Sequence, residues 1–232
     1  MKRLQSLQII MDNSFRENFF NILFSIFIAS LITCNLIANK FVTVDLGFKT
    51  FIVSAGILAY PITFIVTDLI SELYGKKKAD QVVVSGLIAS LFVMGVVLLA
   101  NYVPNTSWSP VNDELFQKVF GLQGPAVFAS MIAYLSAQFI DVRVFHFWKR
   151  LTKGKHLWLR NNGSTIVSQF VDTAAVLILL CSAGAIEWSR FLPLLENGFL
   201  FKITVALIDT PIIYGVIYLL KGKIDIANYD EE

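Results

Sequence analysis

Six apolar stretches, each long enough to cross a bilayer, decide the solvent of this chain before any other feature is read. They cover approximately residues 19–39, 51–74, 81–103, 125–148, 164–186 and 198–220. Spanning ~30 Å of hydrocarbon takes ~20 helical residues. Backbone N–H and C=O groups in lipid find no water, so each stretch must close its own hydrogen bonds, as a helix does. A membrane barrel would alternate apolar and polar residues, and these stretches do not alternate. The expected fold is an all-α membrane protein, a six-transmembrane-helix bundle in one domain over residues 1–232, without room for a soluble domain. Composition agrees, with 56% hydrophobic and 16% charged residues. An average soluble domain carries about 25% charge.

Basic residues set the expected sidedness. Lys and Arg gather in the N-terminal segment (Lys2, Arg3, Arg16), at 76–78, at 149–160 and at the C-terminal end, thirteen in all. The alternate loops hold only four: Lys40, Lys49, Lys118 and Arg190. The positive-inside rule then places both termini in the cytoplasm. The first apolar run is longer than a signal-peptide core and lacks a small-residue cleavage site, so it is read as a retained first helix. Trp108 and Trp188 on one side, with Trp148 and Trp158 on the other, suit interfacial aromatic belts. Residues Val111, Leu115, Phe116, Val119 and Phe120, with Asp113, Glu114 and Lys118 between them, predict a short amphipathic helix on the outer face.

Ionisable side chains at membrane depth cost ~2.5–3.5 kcal/mol each on insertion scales. This chain nevertheless places Asp68, Glu72, Asp141, Arg143, Asp172, Lys202 and Asp209 inside its apolar stretches, beside Asn35, Asn39, Thr67 and Gln138. Asp68 and Glu72 are four apart, and Gln138 and Asp141 three apart. Thr165, Gln169, Asp172 and Thr173 form one helical stripe. Such stripes belong inside the bundle, where their hydrogen bonds are met. Glu72 also lies four residues before Lys76, which suits an interfacial ion pair. Asp141 and Asp172 suit helix-to-helix hydrogen bonding as well as ligand recognition. Pro211, next to Asp209, and Pro61 weaken their helices locally.

Other chemistries lack their residues. Cys34 and Cys181 read as free buried thiols, and His146 and His156 as interfacial groups without ligand spacing. No metal or cofactor is expected. Intramembrane protease motifs and phosphate loops are missing, so an enzyme is not expected. A net charge of +2 alone says nothing about nucleic acid, and no nucleic-acid partner is expected. The expected surroundings are lipid and a small-molecule ligand. The small residues Ser85-Gly86, Ala89-Ser90 and Gly95 allow close helix contact, within the bundle or in a homodimer.

Four signatures carry a resemblance. They are Ala59-Tyr60-Pro61 with Thr67-Asp68-Leu69 and Tyr74-Gly75; Ala133-Tyr134 with Gln138, Asp141-Val142 and Val144-Phe145; Gly163-Ser164-Thr165 with Asp172-Thr173; and Phe201-Lys202 with Pro211 and Tyr214-Gly215. With Asn35, they resemble the bacterial queuosine precursor transporters, also called vitamin uptake transporters. Glu72, Gln169 and Asp209 fall outside the matched pattern. The resemblance implies a six-helix inner-membrane importer of 7-deazaguanine bases, such as 7-cyano-7-deazaguanine, 7-aminomethyl-7-deazaguanine or queuine. Its fold would be similar to the substrate-binding subunits of energy-coupling-factor transporters, and such a subunit is the alternative role. A carboxylate accepts the ring N–H and amino group of such a base, and a carboxamide serves the neighbouring carbonyl. The expected substrate-binding residues are Asn35, Phe64, Thr67, Asp68, Tyr134, Gln138, Asp141, Gln169, Asp172, Lys202 and Asp209, with Phe170 as a further stacking ring.

Overall fold

A computed structural model describes residues 2–37, 40–45, 47, 49–120, 125–182, 184 and 186–220, with the side chains of 2–13, 41, 125–130 and 134 left aside. Six helices make up most of it: α1 (Lys2–Leu36), α2 (Tyr60–Tyr102), α3 (Asp113–Phe120), α4 (Pro125–Leu151), α5 (Leu157–Ser182) and α6 (Phe191–Leu220). Four helical stretches are long and apolar enough to cross a membrane: Ser14–Leu36, Ala55–Tyr102, Leu157–Ser182 and Trp188–Leu220. The described part of α4, which carries Gln138, Asp141, Arg143 and His146, is not among them.

The all-α expectation needs a correction. Residues 51–54 do not begin a helix. They belong to β2 (Thr50–Ser54), which pairs antiparallel with β1 (Phe41–Asp45). Both segments alternate and are rich in β-branched residues, which suits a half-covered ribbon. The Asp45 carboxylate accepts from the Gly47 N–H at 2.9 Å and shapes the turn. Phe51 and Val53 point inward against Phe201 of α6, while Ile52 faces out. A 3-10 turn, Ala55–Leu58, then leads into α2.

α2 is two helices joined at Gly75, whose φ of 81° and ψ of 174° lie in a region that side chains beyond glycine strongly disfavour. Its limbs run in opposite directions, as their contacts with α1 show. Gly56 lies against the Cys34 carbonyl, and the Tyr74 hydroxyl donates to the Arg16 carbonyl, so the first limb descends as α1 rises. Beyond Gly75, Lys78 sits over the Phe20 ring and Gly86 lies against Phe27 and Leu31, so the second limb climbs back. In lipid, such contacts are held by close packing and hydrogen bonds more than by apolar burial. A Cβ at Gly86 would come within 2.7 Å of Phe27, so this small residue serves a contact within the bundle.

α4, α5 and α6 pack in sequence order, with α4 and α6 also against α2. The pairs α4–α5 and α5–α6 are antiparallel: Trp148 meets Gly163 and Asp141 meets Ser168 on one side. On the other, Asp172 meets Lys202, and Asn162 meets Thr210. α3 forms where its apolar spacing predicts, with no buried residue. Helices α5 and α6 start earlier than expected, at Leu157 and Phe191, and α1 reaches back to Lys2.

Candidate functional site

Tyr60, Phe64, Asp68 and Glu72 recur every four residues down the first limb of α2, so they share one face. Arg160, Ser164, Ser168 and Asp172 do the same along α5, in the opposite direction. The two stripes meet in three polar levels.

At the hairpin end, Asp172 accepts from the Tyr60 hydroxyl at 2.6 Å and from Lys202 Nζ at 2.6 Å. Lys202 also lies 3.3 Å from the Tyr60 oxygen and 4.4 Å from its ring centre. One anion, one cation and one phenol thus neutralise each other across α2, α5 and α6. At the middle level stand Asp68 and Asp141, both fully enclosed. Ser168 donates to Asp141 Oδ1 at 2.9 Å. Gln138 reaches Thr63 at 3.5 Å, and the Thr67 hydroxyl returns to the Thr63 and Phe64 carbonyls of its own helix.

The third level, at the Gly75 end, overturns three expectations. Glu72 does not pair with Lys76, which pairs with Asp80 instead. Glu72 takes Arg160 at 2.7 Å and Lys149 at 3.8 Å. Arg160 is not a loop cation: it is 1% exposed, in the first turn of α5, with its guanidinium 5.7 Å from the Phe145 ring centre. His146 is likewise buried rather than at a surface.

Between the hairpin and the middle level lies a narrow, partly open cleft, lined by residues that include Tyr60, Phe64, Gln169, Phe201, Lys202 and Asp209. Three aromatic rings supply apolar faces. Gln169 is 2% exposed, and its Oε1 has no hydrogen-bond partner among the described residues. Asp209 is 8% exposed, and among the described residues no hydrogen bond or ion pair reaches its carboxylate. Buried acceptors are normally satisfied. Gln169 Oε1 is an exception, and the Asp209 carboxylate, which no described donor reaches, lines the same cleft.

Of the sequence-derived candidates, the pocket collects Phe64, Gln169, Lys202 and Asp209, with Asp172 behind Lys202. Asp68, Asp141, Gln138 and Thr67 stand in the adjoining core and do not line it. Asn35 is exposed on α1 and joins none of these groups, and Phe170 faces outward. The Tyr134 side chain lies outside the described residues. Phe201, Thr165 and Ile57 were not among the expected site residues. Tyr60 was quoted only as part of a signature, although its four-residue spacing with Phe64 and Asp68 already marked its face. Cys34 and Cys181 are free and buried.

Comparison with known proteins adds the identity of the scaffold. A family profile described as "Putative vitamin uptake transporter" matches residues 54–216, which hold α2, α3, α4, α5 and nearly all of α6. A protein of Bacillus subtilis (strain 168) named "Probable queuosine precursor transporter" is 31% identical over 164 residues, covering 69% of each chain. No solved structure matches the chain.

Proposed function

The chain belongs to the vitamin uptake transporter family, and from that premise we propose that it imports 7-deazaguanine precursors of queuosine through the pocket beside Asp209. It is a multi-pass membrane protein with a transporter's role. The substrate reading is supported by the relative's name and by one structural observation: aromatic rings, the unpaired Gln169 Oε1 and the Asp209 carboxylate share a small cleft between helices. A planar bicyclic base stacks on the rings of Tyr60, Phe64 or Phe201 and presents N–H groups at its edge. The first limb of α2 supports a transport site as well. It is only about 22 Å long at 1.5 Å per residue, and short or interrupted helices mark binding sites in transporters.

Six crossings in the inner membrane, with both termini cytoplasmic, form the proposed topology. They are α1, the two limbs of α2, α4, α5 and α6. The hairpin would then lie outside, and the Glu72–Arg160–Lys149 cluster would close the cytoplasmic end. The mode is secondary or facilitative transport. The test is uptake of labelled 7-cyano-7-deazaguanine into liposomes holding only this purified chain. Time-dependent accumulation above empty liposomes is the expected result. Binding without entry would sink the transporter reading in favour of a binding subunit. A queuosine-deficient bacterium lacking its own importer should also regain queuosine in tRNA when it expresses the chain on limiting precursor.

A further inference from the structure

We propose that Asp209 and Gln169 form a donor-reading clamp that selects bases by their exocyclic amino group. The assignment rests on the function proposed above and goes to a property of the site that no comparison specifies.

The cavity's polar groups are uneven in their needs. Lys202 is already engaged by Asp172 and Tyr60. The Asp209 carboxylate is engaged by none of the described residues, and Gln169 Oε1 is likewise unpaired. Both side chains are more than nine-tenths buried, and both line the pocket. Gln169 Oε1 is fully buried, and leaving a buried acceptor unpaired is unfavourable. The empty site is therefore destabilised in a way that a ligand with converging donors relieves. An acceptor-rich edge would worsen it.

A 2-amino-4-oxopyrimidine edge, as in a deazaguanine, has the matching arrangement. Its ring N–H and one amino hydrogen point the same way, at the spacing of two carboxylate oxygens, so Asp209 accepts both. The second amino hydrogen then goes to Gln169 Oε1. Every donor of the amino group is used, the orphan Gln169 Oε1 is satisfied and the Asp209 carboxylate gains two donors. Without the amino group, one Asp209 oxygen and Gln169 Oε1 fall vacant. With a carbonyl in its place, two oxygens face each other. A site built to bond a group discriminates strongly against the analogue that lacks it.

Calorimetric binding to the purified full chain in nanodiscs tests this with three probes: 7-deazaguanine, 7-deazahypoxanthine and 7-deazaxanthine. For the wild type, 7-deazaguanine should bind about ten- to a hundredfold tighter than 7-deazahypoxanthine, the range expected for hydrogen bonds to a charged group. It should exceed 7-deazaxanthine by more. Asp209→Asn should bring the first ratio close to one, and Gln169→Leu should lower it partly. The ratio is internal to each variant, so loss of folded protein does not mimic the result, and an unchanged unfolding midpoint checks the fold. Equal affinities of the wild type for the three bases would overturn the clamp and leave the transport reading standing. So would a full ratio kept in Asp209→Asn. Binding of none of the three would overturn both.

Discussion

Single residues at the buried ion pairs carry the sharpest consequences. Arg160 is almost fully enclosed and holds Glu72 at 2.7 Å. Removing one partner of a buried pair leaves an uncompensated charge, which costs about 3–5 kcal/mol. Arg160→Ala should therefore lower the thermal midpoint in detergent strongly, and adding Glu72→Gln should restore part of it. An unchanged midpoint in the single variant would show that Lys149, 3.8 Å away, suffices as counter-ion. The Asp172–Lys202 pair calls for a double-mutant cycle. Uptake by Asp172→Asn or Lys202→Met alone should fall further than in the double variant, because each single change strands the opposite charge. Additive losses would separate the two residues. Asp172 and Lys202 were visible in the sequence because charges have no other reason to stand in apolar stretches. Arg160 was hidden by its neighbours: Lys149, Arg150, Lys153 and Lys155 made the whole segment read as a loop. Glu72 was misassigned because an i, i+4 partner is legible in one dimension, whereas a residue 88 positions away is not.

Elements show a similar division between local pattern and tertiary choice. The long helices follow from apolar runs, and α3 from its amphipathic spacing. The hairpin was missed because Phe51, Ile52 and Val53 are apolar and adjoin a helix, so hydropathy alone absorbed them into the second stretch. Their β-branching and the Asp45–Gly47 turn were the available signals. Gly163 shows what close packing demands of an element. A Cβ there would sit 2.9 Å from Trp148 Nε1, so Gly163→Ala must push α5 from α4 or move the indole. Overpacking of this kind costs about 1–3 kcal/mol. Gly95→Ala meets nothing within 4 Å. There the helix propensity of alanine should prevail and stabilise by roughly 0.5–1 kcal/mol. Unfolding midpoints of the two variants should thus move in opposite directions, and a common shift would refute the packing assignment.

For the whole molecule, the decisive feature is the reversal at Gly75, because it divides one 48-residue apolar stretch, Ala55–Tyr102, into two limbs that the proposed topology takes as separate crossings. The sequence already separated them through Lys76, Lys77 and Lys78, three cations that belong at a membrane face and not within it. The reversal also fixes where every later loop lies. In the proposed topology, with two limbs, the segment around α3 lies outside and the α4–α5 turn inside. With α2 as one crossing, the two exchange places. Lys118 on α3 and Lys155 in the turn are both exposed, and the native cysteines are both buried. Lys118→Cys and Lys155→Cys can therefore be probed against a quiet background, the wild-type chain serving as control. A membrane-impermeant thiol reagent on spheroplasts should label position 118 at once. Position 155 should react only after permeabilisation. The reverse pattern would mean that the chain passes straight through at Gly75, and would remove the cytoplasmic location of the Glu72–Arg160 cluster with it.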